Sequence, residues 1–161
     1  MVKVLFLFGE ICSGKSTYEP EGKSVRITVS NVVKKLMNSE DREVLQKTKH
    51  MDTMIANELA NDLWNYDAFV FNSKETTPDY LIIDGIRQGT ILTVLESYIE
   101  RSHPYWGIEY KWLDVDREER KRRFDARKDH KDTLSFDEAE KRDNLLGLSN
   151  LFSMLKEQNK I

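Results

Sequence analysis

The first constraint on the fold is an apolar segment near the start of the chain that runs directly into glycines, a lysine and hydroxyl side chains. Residues 2–8 carry valine, leucine and phenylalanine, with no polar alternation after Lys3. This pattern is typical of a strand that is covered on both faces, as the strands of parallel sheets are. We therefore predict a buried parallel strand over 2–8, followed by a glycine-rich loop.

The remaining segments alternate between strand and helix patterns. Apolar or alternating runs predict further strands over 24–30, 80–85 and 108–115. Helical periodicity predicts helices over 30–38, 39–66, 88–101, 116–128 and 135–146, with another after Gly147. Strands separated by helices in this order are typical of a doubly wound domain. The predicted fold class is therefore α/β, with three layers built around a parallel sheet of about four strands.

The composition is that of one globular domain without a membrane partner. A chain of 161 residues fits a single core, and no apolar run reaches the roughly 18 residues that a membrane span requires. The single cysteine, Cys12, excludes an internal disulfide framework and fits a reducing compartment, so we expect a cytoplasmic protein. The net charge of −3 gives no overall attraction for nucleic acid.

A phosphate-binding spacing follows the first strand: a glycine, four free positions, then glycine, lysine and a hydroxyl. Glycines let the backbone turn its N–H groups inward, and the start of a following helix adds partial positive charge. In such a loop Lys15 places its charge on the β- and γ-phosphates, and Ser16 offers an oxygen to Mg²⁺. The predicted cofactors are therefore ATP and Mg²⁺. The predicted phosphate-binding residues are Gly9, Glu10, Ile11, Cys12, Ser13, Gly14, Lys15, Ser16 and Thr17.

Two residues inside this loop carry alternative interpretations. Cys12 stands at a free position of the motif, where we expect its backbone rather than its thiol to matter. Glu10 brings a carboxylate beside a triphosphate, which is electrostatically unfavourable unless the side chain points away. Either Glu10 reaches toward the acceptor or it is solvated, and the sequence does not separate these two hypotheses.

The third predicted strand ends in an acid, a glycine and then an arginine. Asp84 stands at the carboxyl end of this strand, which is where open parallel sheets bind ligands. It is therefore a candidate for holding Mg²⁺, usually through water, or for orienting the attacking group. Gly85 allows a sharp exit from the strand, and Arg87 can direct its fork of donors at a second anionic group.

A basic helix is predicted near the carboxyl end of the chain. Arg120, Arg123 and Arg127 are spaced by three and four residues, so they line one helix face. Arginines that close over a site stabilise the charge that develops during phosphoryl transfer and exclude water. Six acidic residues between 116 and 132 favour a different interpretation, a solvated helix with surface salt bridges. Contact with a nucleic-acid backbone is a third, less favoured interpretation.

With the phosphate loop, "DGIR" at 84–87, "RFDAR" at 123–127 and "EKRDNLLG" at 140–147 all located, the chain resembles a known group of enzymes. It resembles the adenylate-kinase-like nucleotide kinases, and within them the small kinases related to dephospho-coenzyme A kinase. The similarity covers roughly residues 2–148. It implies the fold of the phosphate-loop nucleoside triphosphate hydrolases, with a helical lid.

The resemblance also implies how the chain is divided and which residues act. It implies one kinase domain over 1–161, with acceptor-binding helices at about 31–74 and a lid at about 117–142. In that family the arginine after the third strand meets the acceptor phosphate, a role that passes to Arg87. The lid arginines would be Arg123, Arg127 and Arg142. Together with Lys15 and Asp84 they form the predicted catalytic set.

The chain departs from the family pattern at several places. Pro20 lies three residues after Thr17, where proline would break a helix, so we predict that the helix after the loop is cut to about one turn. After the second strand the family often carries an acid and an arginine. Asn31 and Lys34 stand there in this chain, and they are the further predicted acceptor-binding residues. The usual last strand after the lid is missing, which predicts four strands.

The leading functional hypothesis is an ATP-dependent kinase that moves the γ-phosphoryl group to a nucleotide-like acceptor, a nucleoside or deoxynucleoside monophosphate. A first alternative phosphorylates a hydroxyl of a nucleoside, coenzyme precursor or modified DNA base, with Asp84 or Glu10 as general base. A second alternative is a nucleotide-binding regulatory module with little turnover. The expected partner is thus a small nucleotide-like molecule, with nucleic acid possible under the first alternative. The sequence leaves the oligomeric state open.

Overall fold

A computed structural model describes residues 2–38, 51–73, 77–127 and 134–161 of the protein. The predicted helix residues 39–50 and residues 128–133 of the predicted lid lie outside this part of the chain. The strands are β1 (Lys3–Gly9), β2 (Ser24–Thr28), β3 (Tyr80–Asp84) and β4 (Gly107–Leu113). The helices are α1 (Val29–Met37), α2 (Asp52–Ser73), α3 (Gly89–Ser102), α4 (Arg117–Arg127), α5 (Phe136–Leu146) and α6 (Leu148–Glu157).

The four strands form one parallel sheet in the order β2-β3-β1-β4. This confirms the predicted α/β class and the predicted four parallel strands. The chain moves from β1 to the β2 edge and then returns across the sheet to β4, so strands β1 and β3 lie at the point where the order reverses. Leu7 of β1 pairs with Asp84 of β3. The loop after β1 and the acid that ends β3 therefore meet at the carboxyl edge, where such sheets bind ligands.

One face of the sheet carries the main hydrophobic core. Val4, Phe6 and Phe8 of β1 are buried on this face, together with residues of α1, α2, α3 and α6. Leu59 and Leu95 of α2 and α3 have no exposed surface. The apolar helix faces that the sequence periodicity predicts therefore pack against this face of the sheet.

The other face of the sheet has a much thinner cover. Its buried residues are Leu5, Leu7 and Ile82, and the partly buried hydrophobic side chains that pack on them are Tyr18, Tyr80 and Leu113. No helix in the described ranges contributes a buried side chain to this cluster. Our prediction of three layers, with helices on both faces, is therefore not met in this part of the chain.

The chain connection explains this asymmetry. Right-handed crossovers place the β1-to-β2 connection on the face opposite to the β2-to-β3 and β3-to-β4 connections, because the chain moves in the opposite direction across the sheet. The β1-to-β2 connection contains only a three-residue 3₁₀ turn, Lys15–Thr17. Pro20 follows shortly afterwards. The short turn agrees with our prediction, made from this proline, that the helix after the loop is cut to about one turn. A single turn is too short to cover a sheet face.

The helices near the carboxyl end begin and end as their sequence signals predict. Ser135 accepts a hydrogen bond from the Glu138 backbone N–H, while the Glu138 carboxylate accepts one from the Ser135 N–H, which completes a capping box. Gly147, with φ of 119°, separates α5 from α6. Among the described residues, no helix combines the length and the apolar character that crossing a membrane requires.

Candidate functional site

The loop after β1 is a tight turn whose glycines are required by close approach and backbone conformation. A Cβ atom on Gly9 would lie 2.3 Å from the Ser13 hydroxyl oxygen. Gly14 has φ of 92° and Cys12 has φ of 60°, so the chain enters the left-handed region twice within three residues. This geometry fits the expectation that the backbone of Cys12 matters at this position. Nests of backbone N–H groups are built from such turns.

The Lys15 ammonium group lies against the same loop. Its Nζ atom donates hydrogen bonds to the carbonyl oxygens of Gly9 at 2.8 Å and Glu10 at 3.0 Å. Burial lowers the pKa of Lys15 below its ordinary 10.5, and the positive charge of Arg87 lowers it further. The negative charges of Asp84 and Asp143 act in the opposite direction. Residues of two other motifs, "DGIR" and "EKRDNLLG", therefore lie within electrostatic range of this lysine.

Asp84 ends β3 in a buried position, with 7% of its surface exposed. Its Oδ2 atom lies 3.2 Å from Nη1 of Arg26, a residue of β2. The same Nη1 donates to the Lys15 carbonyl oxygen at 2.8 Å, and Nη2 donates to the Tyr18 carbonyl oxygen. The sequence reasoning missed Arg26, because a single arginine inside an alternating strand looks like a solvent-facing residue.

Arg87 and Arg142 share a buried carboxylate. The Oδ1 atom of Asp143 lies 3.0 Å from Nε of Arg87 and 3.3 Å from Nη2 of Arg142. Asp143 is 4% exposed and belongs to α5, whereas Arg87 follows β3. Two arginines predicted from different motifs are thus brought together by an acid that was only noted as part of "EKRDNLLG". The one feature of the sequence that could have pointed to Asp143 is its position directly after Arg142.

Arg120 of α4 is 3% exposed and connects this helix to the loop. Its Nη2 atom lies 3.0 Å from carboxylate oxygens of both Glu10 and Glu140. Its Nη1 atom donates to the Ile11 carbonyl oxygen at 3.4 Å. Glu10 therefore points away from the loop interior toward a guanidinium group. Neither hypothesis for Glu10, reach toward the acceptor or simple solvation, described this ion pair.

The other two arginines on the predicted helix face, Arg123 and Arg127, differ in where they lie. Arg123 donates from Nη1 to the Cys12 carbonyl oxygen at 3.3 Å, so it reaches the loop. Glu119 accepts from both Arg122 and Arg123, and these contacts lower the pKa of Glu119 to about 2. The carboxylate is thus ionised at neutral pH and orients Arg123. Arg127 is exposed and its guanidinium lies 5.3 Å from the centroid of the Phe124 ring.

The predicted acceptor arm lies on α1. Asn31 is exposed and Lys34 is half-buried on this helix, which packs against α2. Their role in binding an acceptor stays a prediction. Lys35, one position further along, pairs with Glu58 of α2 and thereby joins the two helices.

The predicted Mg²⁺ contacts are oxygen donors, a hydroxyl and a carboxylate, which are ligand types that Mg²⁺ takes. Ser16, whose side chain is exposed beside the loop, and Asp84 are the two predicted protein contacts. In the part of the chain that the structure describes, no three or more histidine, cysteine, aspartate or glutamate residues form a metal-binding group. A small protein contribution is expected for Mg²⁺, since it keeps several waters and takes its other oxygens from the substrate phosphates.

Comparison with models of known protein families gave no match, and neither did a search of curated proteins. The chemistry of the site therefore rests on its own residues.

Proposed function

We propose that the protein is an ATP-dependent phosphotransferase with a phosphate-loop kinase fold. It moves the γ-phosphoryl group of ATP to a nucleotide-like acceptor, a nucleoside or deoxynucleoside monophosphate. The observation that carries this proposal is the meeting of Lys15, Arg87 and Arg123 around one loop, each from a different part of the chain. The positive charge of Arg87 disfavours the charged form of Lys15, so a ligand with negative charges would be favoured there.

Each of these residues has a distinct task in the proposed reaction. The loop backbone and Lys15 bind the β- and γ-phosphates of the donor, and Arg123 stabilises charge on the moving group. Arg87, held by Asp143, binds the acceptor phosphate opposite the donor. The bond between the γ-phosphorus and its bridging oxygen breaks, and a bond to an acceptor phosphate oxygen forms. Mg²⁺ held by Ser16 and Asp84 would neutralise charge on the donor phosphates.

The state of the two acidic residues favours a phosphate acceptor over a hydroxyl acceptor. A hydroxyl must lose its proton, which profits from a carboxylate near the attacking oxygen. Glu10 is paired with Arg120, and Asp84 is paired with Arg26. A phosphate oxygen needs no general base, so both pairs are compatible with transfer to a nucleoside monophosphate.

The experiment that tests this proposal follows labelled phosphate. The protein is incubated with γ-labelled ATP and Mg²⁺ against a panel of nucleoside monophosphates, nucleosides and modified oligonucleotides. We expect labelled nucleoside diphosphate from at least one monophosphate. Label on a nucleoside or an oligonucleotide would instead support the hydroxyl alternative. Binding of ATP without any labelled product would support a regulatory module.

Replacing Arg87 with glutamine tests the assignment of the acceptor side. We expect KM for the acceptor to rise by about tenfold to a hundredfold, because a charge-assisted contact to a phosphate is lost, while KM for ATP stays within about twofold. Arg101→Gln is the matched control, since Arg101 is exposed and donates to the Ser97 carbonyl oxygen of its own helix. Unchanged acceptor kinetics in R87Q would contradict the role of Arg87.

A further inference from the structure

Arg26 occupies a position that a phosphate loop normally gives to a helix. In phosphate-loop proteins the glycine-rich loop opens a helix, whose turns satisfy the carbonyl groups after the lysine and whose dipole favours anions. Here the helical segment is only Lys15–Thr17, and the chain is extended at Tyr18. A turn of this length provides neither a row of backbone donors nor a useful dipole.

The guanidinium of Arg26 makes the contacts that the missing turns would make. It donates to the carbonyl oxygens of Lys15 and Tyr18, the residues at the two ends of the exit from the loop. It also lies 3.2 Å from the Asp84 carboxylate. Its side chain is 19% exposed, so these contacts are shielded from solvent.

We propose that Arg26 is the positioning residue of the phosphate loop. By fastening the Lys15 and Tyr18 carbonyls to Asp84, it holds the loop in the conformation that binds a phosphate chain and supplies the positive charge that a helix end would otherwise supply. This inference deepens the proposed function, on which its consequence for nucleotide binding rests. The planar fork is essential to it, because only arginine donates in several fixed directions at once.

The same geometry separates Arg26 from the residues that would touch a ligand. Its donors are directed at two backbone carbonyls and at Asp84. Lys15, by contrast, lies against the inner carbonyls of Gly9 and Glu10. Removal of Arg26 should therefore loosen the loop before any nucleotide is added.

The test compares Arg26→Gln and Arg26→Lys with the matched control Arg101→Gln in two measurements. The first is hydrogen exchange of the peptide that spans 9–18 without nucleotide. We expect exchange to accelerate by about tenfold or more in both Arg26 variants, with little change in the peptides of β3 and α3. The second is the Kd for ATP with Mg²⁺, which we expect to rise by about tenfold or more in R26Q and by less in R26K, which keeps the charge.

The exchange measurement tests the role of Arg26, and ATP binding by the wild-type protein tests the proposed function. Exchange of the loop peptide at the wild-type rate in folded R26Q, or acceleration spread equally over the whole chain, would overturn the positioning role. If R26Q does not fold, R26K is judged by the same criteria. Failure of the wild-type protein to bind ATP would contradict the proposed function instead, and the exchange result would still decide the role of Arg26.

Discussion

Replacing Lys15 with alanine will reduce phosphoryl transfer by about a thousandfold or more while the protein stays folded. The Lys15 ammonium is the charge directed into the loop, and loss of a group that stabilises developing charge costs about a hundredfold to a thousandfold or more. Because burial already disfavours the charged form of Lys15, its removal carries little penalty in stability. The measurement is kcat/KM for the acceptor that the experiment with γ-labelled ATP identifies.

The control for Lys15 is Lys121→Ala, which removes an exposed lysine from α4. It should keep activity within about twofold of the wild-type value. Thermal melting of both variants checks that the fold is retained. Full activity in K15A would refute the assignment of the loop.

Replacing Arg120 with alanine will lower the free energy of unfolding by about 3 kcal/mol, the largest effect on stability that we expect. The substitution leaves Glu10 and Glu140 without their shared guanidinium and takes a donor from the Ile11 carbonyl. Removing one partner of a buried ion pair costs about 3–5 kcal/mol. We expect the lower end, since both carboxylates keep some exposure to water. The melting temperature should fall by about 6–12 °C.

Arg122→Ala is the matched control on the same helix. Arg122 is exposed and pairs with Glu119 three residues earlier, and such a surface pair contributes little to stability because solvent screens it. Urea unfolding of both variants measures the difference. Equal stability of R120A and R122A would show that the ion pairs of Arg120 do not hold α4 to the loop.

Much of the fold was predictable because it depends on local patterns. The apolar run at 2–8, the acid that ends "YLIID" and the capping box at Ser135 each act within a few residues. Pro20 likewise predicted the short turn, since proline excludes a continuing helix. Several observed ends differ by one or two residues: β2 ends at Thr28 rather than at 30, and β4 begins at Gly107 rather than at 108. Helix α2 differs more, since it ends at Ser73 rather than at 66.

The cover of the second sheet face was not predictable from such patterns. Helices on both faces are the general solution for a parallel sheet, and that generality produced the prediction of three layers. Tyr18 covers part of Leu5 and Leu7. The centroid of its ring also lies 5.2 Å from Nζ of Lys111. A tyrosine in a loop and a lysine in an edge strand carry no periodic signal. Their contact depends on the register of β4 against β1.

Residues at strand ends could be proposed from the sequence, whereas partners that come from distant elements could not. Lys15, Asp84 and Arg87 belong to recognisable segments at strand ends. Arg26 contacts Asp84, which lies 58 residues away in the sequence, and Arg120 contacts the Ile11 carbonyl across 109 residues. Pairings over such distances follow from strand order and helix placement, so they emerge only with the three-dimensional structure.

Binding of a phosphate chain to the loop can be measured by competition against a fluorescent ATP analogue in the presence of Mg²⁺. Inorganic tripolyphosphate should displace the analogue from the wild-type protein, because Lys15 and the loop bind the phosphates rather than the nucleoside. Adenosine at the same concentration should displace far less, and K15A should bind the analogue weakly. Displacement by adenosine but not by tripolyphosphate would contradict a phosphate-binding loop at the carboxyl end of β1.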